Sequence, residues 1–343
     1  GSPRRNPDYR RNVSDRLCFA VVRLDLSDGV QDRASRPIGR NQLEAGCLRA
    51  VRRCSDDFPR YRATPPRLVG TAATYLKRTT HMVQRTVLLT GAAGHVAQLL
   101  MPALGDYSLR LVDRREPPAE VLASAGLTST SADVHVGDLG DDSLADAVVK
   151  GVDTVVHLAA NPAAPAQWDE LRAPNVEMVV TLLEAAHRAD VRRVVLASSV
   201  HAMGAYVQQE RHPVDPFWPP NPCCAYGATK AFAEAIGRVY SYRTGLSVVC
   251  LRFGGVQERP ASVGTMASWI GPADLRHLVV RSIEADDIGF GVYHGVSANT
   301  RREWDLSNAR DELGYLPTGD SESFLPDLDP HAARGLCPRG PLA

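Results

Sequence analysis

An alternation of apolar runs and amphipathic stretches begins near residue 86 and continues along most of the remaining chain. Apolar runs without polar alternation predict buried parallel strands, and they lie at residues 86–89, 109–113, 134–139, 153–158, 191–199 and 247–253. Helical stretches lie at residues 98–104, 143–149, 175–189 and 226–236. Strands and helices alternating at this interval predict an α/β fold with a doubly wound, Rossmann-like parallel sheet. Ligands bind beyond the carboxyl ends of such strands.

A glycine turn follows the first predicted strand and leads directly into a helix. Backbone N–H groups and the positive end of a helix dipole make such a turn suitable for binding a phosphate. Gly91 permits the tight turn, Gly94 lets the chain approach a pyrophosphate, and Ala97 allows close packing of helix on strand. The spacing G-x-x-G-x-x-A differs from the usual dinucleotide fingerprint, so the turn needs support from its surroundings.

That support comes from an acidic residue at the end of the second predicted strand. Asp113 lies 22 residues beyond Gly91, where a carboxylate accepts hydrogen bonds from a ribose 2′-hydroxyl and repels a 2′-phosphate. This position predicts NAD as the cofactor in preference to NADP. Two alternatives stay open: Arg114 and Arg115 follow directly and are able to bind a phosphate, and Asp113 has the position of an ordinary turn residue.

Three polar side chains form a candidate reactive group. Ser199 ends the fifth predicted strand, and Tyr226 and Lys230 are four residues apart on one face of a helix. A free tyrosine has a pKa of about 10, and a nearby ammonium favours the phenolate and lowers that pKa. A serine hydroxyl at a strand end hydrogen-bonds a substrate oxygen as charge shifts. We therefore predict that Lys230 makes Tyr226 acidic enough to exchange a proton with substrate.

Further candidates for the substrate side follow the fifth and sixth strands. His201 is the best of them, with a strand-end histidine bonded to backbone as the alternative. Ser268 and Trp269 lie on a later loop, where they either line a pocket or pack behind it.

Charge divides the chain into chemically different segments. Residues 1–80 carry 16 Arg and one Lys against eight acidic residues, whereas the whole chain is formally neutral. We expect residues 1–81 to form a basic, poorly ordered extension outside the core. Residues 82–317 are then the dinucleotide-binding domain with a small C-terminal substrate lobe, and residues 318–343 a tail. The extension shows no pattern of a folded nucleic-acid-binding module, so no nucleic-acid partner is expected.

The remaining composition narrows the setting of the protein. No apolar run approaches the roughly 18 residues that a membrane span requires, so no membrane partner is expected. The seven cysteines include no C-x-x-C pair, so neither a disulfide framework nor a metal site is predicted. Cys223 and Cys224 are adjacent and are interpreted as loop residues, with a redox role as the alternative. Without a secretory or twin-arginine signal pattern, a cytoplasmic location fits best.

Residues 83–317 resemble the extended short-chain dehydrogenase/reductase superfamily, in its NAD-dependent epimerase/dehydratase branch. The resemblance implies that Tyr226 transfers a proton, Lys230 holds the nicotinamide ribose, and Ser199 orients the substrate. It also implies a homodimer formed through the helix that carries Tyr226. Cofactor contacts are expected from Gly91, Ala93, Gly94, His95, Val96, Asp113, Arg114, Asp138, Leu139, Leu158, Ala159, Ala160, Asn175, Tyr226, Lys230 and Phe253. Substrate contacts are expected from Asn161, Ser199, His201, Gly255 and Trp269.

Within that branch the chain is most similar to uronate dehydrogenases, which oxidise the anomeric carbon of a free hexuronate with NAD. The run Ala197-Ser198-Ser199-Val200-His201 and the short C-terminal part carry this likeness. The arginine that binds the substrate carboxylate in that group aligns with Gly264, and Arg259 is the nearest substitute. Loss of a bidentate arginine removes the main charged recognition of a carboxylate.

These observations favour an NAD-dependent oxidoreductase that transfers a hydride between a small sugar, sugar acid or polyol and the nicotinamide. An epimerase or dehydratase that oxidises its sugar transiently is the alternative within the same fold. A non-catalytic dinucleotide-binding sensor is the alternative from a different class of protein.

Overall fold

The computed structural model describes residues 85–329 and Cys337. The predicted basic extension, residues 1–81, lies outside the described residues. Of the predicted tail, residues 318–343, the structure describes residues 318–329 and Cys337. No helix in the described part of the chain combines the length and apolar character needed to cross a membrane.

Parallel strands form the centre of the fold. The strands are β1 (Thr86–Thr90), β2 (Ser108–Asp113), β3 (Asp133–Val136), β4 (Thr154–His157), β5 (Arg193–Ser199), β6 (Ser247–Phe253), β7 (Gly255–Val256), β8 (Trp269–Ile270) and β9 (Phe290–Gly295). Seven of them make one sheet in the order β3-β2-β1-β4-β5-β6-β9, with every pair parallel. The order reverses between β1 and β4, which is where doubly wound sheets bind ligands. The predicted Rossmann-like α/β fold is confirmed.

Helices connect the strands and cover both faces of the sheet. They are α1 (His95–Leu100), α2 (Ala119–Ser124), α3 (Asp142–Val148), α4 (Trp168–Arg172), α5 (Met178–Arg188), α6 (Gly204–Gln208), α7 (Ala225–Thr244), α8 (Pro272–Glu284) and α9 (Ser307–Leu313). Successive strand residues point to opposite faces, so Leu89 packs in one apolar cluster with Leu278 of α8. Its neighbour Leu88 packs in a second cluster with Leu182 of α5. Burial on both faces explains why these strands are continuously apolar.

Several predicted elements differ from the structure at their ends, and two of these differences have a clear local reason. The helix predicted from residue 175 begins as a wide turn, Ala173–Glu177, which contains Pro174 and leads into α5. Proline lacks the N–H that a regular α-helical turn requires. The predicted third strand ends at Val136 because Asp138 accepts hydrogen bonds from backbone N–H groups of Gly140 and Asp141 and closes a turn.

A small lobe follows β6 at the carboxyl edge of the sheet. Its two short strands, β7 and β8, pair in parallel, and Gly254 brings the chain so close that a Cβ there would lie 1.7 Å from the Ser268 carbonyl oxygen. The segment predicted as a tail begins as part of this packed structure. Backbone N–H groups of Thr318 and Gly319 donate to the buried Asp274 carboxylate at 2.9 and 3.0 Å.

Candidate active site

A cavity of about 780 Å³ lies along the carboxyl ends of the strands, at the point where the strand order reverses. It extends from the end of β2 past the glycine turn to the first turns of α7. Most residues proposed from the sequence meet there. They are Gly91, Gly94, His95, Val96, Asp113, Arg114, Asp138, Leu139, Leu158, Ala159, Ala160, Ser199, His201, Tyr226, Lys230, Phe253 and Gly255.

The glycine turn is held by the main chain of two neighbouring strands. Gly91 has a φ of +71° and donates its N–H to the Val112 carbonyl oxygen at 2.9 Å. A Cβ at this position would lie 2.7 Å from the backbone nitrogen of Ala159. The turn therefore requires glycine both for its left-handed conformation and for its close contact with the chain after β4.

Asp113 is fixed at the end of β2 by two backbone groups. Its carboxylate accepts hydrogen bonds from the N–H of Ala93 at 3.0 Å and of Arg115 at 3.2 Å. Asp113 and both exposed arginines, Arg114 and Arg115, line the same end of the cavity. A cavity of this size, with a carboxylate at one end and a lysine and a tyrosine at the other, fits a bound dinucleotide.

Ser199, Tyr226 and Lys230 lie together at the opposite end. Ser199 ends β5, and its hydroxyl accepts a hydrogen bond from the N–H of His201 at 3.2 Å. Tyr226 and Lys230 occupy the first turns of α7, and both side chains are largely buried. The Lys230 ammonium lies 5.7 Å from the centre of the Tyr226 ring. It donates to the Ala197 carbonyl oxygen at 2.9 Å.

The titration of this pair differs from the sequence-based prediction. Burial raises the pKa of Tyr226 to about 12, and a hydrogen bond with Ser199 opposes that shift only in part. Burial also lowers the pKa of Lys230 to about 8. The prediction that Lys230 lowers the tyrosine pKa is therefore wrong for this structure, because the phenol is buried and the amine is bonded to Ala197. The juxtaposition of the two side chains is as predicted.

A buried ion pair, Glu234 with Arg252, lies next to this end of the site. Glu234 lies one helical turn beyond Lys230, and its carboxylate accepts two hydrogen bonds from Arg252 of β6, each at 2.8 Å. It also accepts a hydrogen bond from the hydroxyl of Ser198 at 2.5 Å. The pair connects α7 to β5 and β6 and so fixes the helix that carries the reactive side chains.

Four of the proposed residues lie outside the lining of the cavity: Ala93, Asn161, Asn175 and Trp269. The buried Asn175 accepts from the N–H of Asn161 at 2.7 Å and donates to its carbonyl oxygen at 3.0 Å. It therefore holds the loop after β4 in place. Trp269 packs edge-on against Phe324 and donates its indole N–H to the Gln257 carbonyl oxygen at 2.8 Å. Of the two interpretations offered for Trp269, packing describes its place in the fold.

The end of the cavity near Tyr226 also carries polar side chains, Gln257 and Thr265, that the sequence pattern did not reveal. Gln257, Thr265 and Ser268 line the cavity with His201, and of these only Ser268 and His201 were candidates from the sequence. Arg259, the expected substitute for a carboxylate-binding arginine, instead pairs with Asp327 at 3.1 Å on the exposed surface. Loop positions such as Thr265 have no periodic signal, so sequence reasoning had no means of finding them.

Fold and site together define a dinucleotide-binding α/β protein with a serine, tyrosine and lysine beside the cavity. Residues 87–257 match the NAD-dependent epimerase/dehydratase family, and the chain belongs to that family. An NAD-dependent glucose-6-phosphate dehydrogenase from Haloferax volcanii is 34% identical over 72% of this chain and 98% of its own length. A uronate dehydrogenase from Pseudomonas syringae pv. tomato is 34% identical over 73% of this chain and 88% of its own.

A solved structure gives the same likeness in three dimensions. A mutant of uronate dehydrogenase from Agrobacterium tumefaciens, complexed with NAD, superposes with a TM-score of 0.65. It is 26% identical, and the match covers 72% of this chain and 92% of that one.

Proposed function

We propose that this protein is an NAD-dependent dehydrogenase that oxidises a small free sugar or sugar acid. The observation that carries the proposal is the meeting of Ser199, Tyr226 and Lys230 at one end of a cavity whose other end holds Asp113. By their names, the relatives described above are dehydrogenases of a sugar phosphate and of a uronate, which supports a sugar-type substrate. The direct test is the absorbance of reduced nicotinamide when the purified chain, NAD and a panel of sugars are mixed.

NAD, when bound, supplies the hydride acceptor. The protein itself transfers the proton and positions the sugar. Ser199 and Tyr226 contact the reacting hydroxyl of the sugar, and the Tyr226 oxygen accepts its proton as that hydroxyl becomes a carbonyl. Lys230 holds the nicotinamide ribose beside the ring of Tyr226. Because the tyrosine pKa is raised, we expect the oxidation rate to increase with pH above neutrality.

NAD is the proposed cofactor because of the fixed carboxylate of Asp113. A carboxylate there accepts from a ribose 2′-hydroxyl and repels a 2′-phosphate. Arg114 and Arg115 at the same end leave NADP as the alternative. Steady-state rates with the two cofactors, measured side by side, decide between them.

The substrate end favours a neutral sugar over a uronate. The described side chains that line this end offer hydroxyl, amide and imidazole groups, and none of them is an arginine. They are those of Gln257, Thr265, Ser268 and His201. Carboxylate recognition ordinarily uses a bidentate guanidinium, and Arg259 is paired elsewhere. We therefore expect higher kcat/KM with neutral aldoses such as L-arabinose or D-glucose than with D-galacturonate. A higher value with the uronate would contradict this part of the proposal.

Two alternatives are separated from the proposal by simple measurements. An epimerase or dehydratase of the same fold turns its sugar over without net formation of NADH. A non-catalytic sensor binds NAD and reduces none of it with any sugar. The buried proton-transfer group Tyr226 beside Lys230 favours catalysis over sensing.

We also propose a quaternary structure and a cellular location for the protein. Helix α7 exposes Val239 and Tyr242 on its outer face, which suits packing of a second copy in a homodimer. Light scattering of the purified chain tests the dimer. A cytoplasmic location is proposed because the four described cysteines carry free thiols, which suit a reducing compartment. Cell fractionation tests it.

A further inference from the structure

Four metal-binding side chains converge beside the candidate active site. They are His201 after β5, Cys223 and Cys224 before α7, and Cys337. The His201 Nδ1 atom lies 3.3 Å from the sulfur of Cys223, 3.5 Å from that of Cys224 and 3.6 Å from that of Cys337. All four donor atoms lie within 4.8 Å of one another.

These separations suit a tetrahedral zinc ion. Zinc binds cysteine sulfur at about 2.3 Å and histidine nitrogen at about 2.1 Å, so tetrahedral ligands of the two types are about 3.6 Å apart. Three sulfurs and one imidazole are a common ligand set for structural zinc. Magnesium and calcium prefer oxygen ligands, so a thiolate-rich site selects a softer ion.

Three of the ligands are held in place by main-chain contacts. The N–H of Cys223 donates to the His201 carbonyl oxygen at 3.2 Å. Cys224 is the N-cap of α7, and its sulfur accepts from the N–H of Gly227 at 3.4 Å. A Cβ at Gly227 would lie 2.3 Å from the His201 carbonyl oxygen, so the start of α7 presses directly on the His201 backbone. This part of the site is rigid before any ion binds.

The thiols also have the chemistry that metal binding requires. A metal binds the thiolate, and binding releases the thiol protons to solvent. All four side chains are half-buried, which shields the site from bulk water while leaving it accessible to an ion.

We propose that His201, Cys223, Cys224 and Cys337 bind one zinc ion, which ties the chain at Cys337 to the start of α7. With four protein ligands the site is closed, so the ion is structural and not itself catalytic. Ligation through Nδ1 leaves the ring proton of His201 on Nε2. If the proposed sugar oxidation is correct, His201 then becomes a fixed hydrogen-bond donor at the substrate end, two residues from Ser199.

Cobalt and zinc titrations of the reduced, purified full chain, without NAD or sugar, test the site. Cobalt is expected to give thiolate-to-metal charge-transfer bands of the intensity of three thiolates, and zinc is expected to abolish them. Cys337→Ala is expected to weaken cobalt binding by more than about 10-fold. Loss of a residue that only hydrogen-bonds a metal ligand already costs about 10-fold in metal affinity, and loss of a ligand itself is expected to cost more. The matched control is Cys250→Ala, because Cys250 is buried in β6 away from the cluster, and it is expected to leave the bands unchanged.

Alkylation of the unmodified chain, followed by mass spectrometry of its peptides, locates the site without any variant. Zinc is expected to slow alkylation of Cys223, Cys224 and Cys337 and to leave Cys18, Cys47 and Cys54 unaffected. Equal alkylation of the three clustered cysteines with and without zinc would overturn the proposal, and so would a disulfide among them in protein that takes up no metal. Because neither experiment uses NAD or a sugar, failure of the zinc site and failure of the proposed oxidation are distinguishable.

Discussion

The two ends of the cavity are built in different ways. At the cofactor end, the main chain makes the site: Gly91 is held by the backbone of β2, and Asp113 is held by two N–H groups. At the reactive end, side chains from distant parts of the chain make the site. Glu234, one helical turn after Lys230, is hydrogen-bonded to both Arg252 and Ser198. The first end depends on backbone conformation and main-chain contacts, and the second depends on contacts between buried side chains, so substitutions at the two ends are expected to differ in kind.

The largest expected effect is at the reactive end. Tyr226→Phe removes the proton-transfer oxygen and is expected to lower kcat about 1,000-fold, within the range for general acid–base catalysis. NAD affinity is expected to stay within about threefold, because the ring remains. Steady-state kinetics and NAD titration by calorimetry measure the two quantities.

The matched control for this change is Tyr242→Phe on the same helix. Tyr242 is 90% exposed, so loss of its hydroxyl is expected to change neither kcat nor NAD affinity. Equal activity of the Tyr226→Phe protein and the unmodified protein would rule out the proposed role of Tyr226.

A substitution beneath the same end tests its dependence on buried side chains. Glu234→Gln leaves the guanidinium of Arg252 buried without its counter-ion and is expected to lower the free energy of unfolding by about 3–5 kcal/mol. Glu184→Gln, which removes a half-exposed partner of Arg188, is expected to cost less than about 0.5 kcal/mol. Urea denaturation followed by circular dichroism compares them, and similar losses from both would show that the buried pair has no special role.

The cofactor end is tested through its backbone. Gly91→Ala adds both a left-handed alanine and a Cβ 2.7 Å from the Ala159 nitrogen. Gly151→Ala is a matched control, because Gly151 has a φ of +70° and a Cβ added there would have no neighbouring atom within 4 Å. Both are expected to lose about 1 kcal/mol for the conformation alone, and only Gly91→Ala is expected to weaken NAD binding as well. Equal NAD affinities in the two variants would contradict the assignment of the turn.

A second test of the cofactor end concerns the choice between NAD and NADP. Asp113→Asn removes the negative charge and leaves Arg114 and Arg115 at the same end of the cavity. The ratio of kcat/KM with NAD to that with NADP is expected to fall about 10-fold, equivalent to about 1.4 kcal/mol. An unchanged ratio would mean that Asp113 serves only to fix the turn.

The sequence predicts most of the cofactor end because its signals are local. The apolar run before Gly91 and the acidic residue that ends β2 can each be recognised from a few neighbouring residues. The four-residue spacing of Tyr226 and Lys230 is equally local, and the structure places both on one helix face. The spacing does not predict the direction of the Lys230 amine, because that direction depends on a hydrogen bond to the Ala197 carbonyl oxygen in β5.

The parts that were missed depend on contacts between distant residues. Strand β9 contains two glycines and a histidine, so it lacks the continuous apolar run that predicts a buried parallel strand. The cluster of His201 with Cys337 joins positions 136 residues apart, a distance at which no spacing rule applies. Asn175 was expected to contact cofactor, yet it supports Asn161 from within the core.

The central claim is that a hydride passes from a free sugar to NAD with net turnover. The most direct measurement uses a neutral aldose deuterated at its anomeric carbon and mass spectrometry of the nicotinamide after reaction. One deuterium is expected in the reduced cofactor, together with stoichiometric oxidation of the sugar. Turnover of the sugar with no net reduced nicotinamide, or reduced nicotinamide that carries no deuterium, would contradict it.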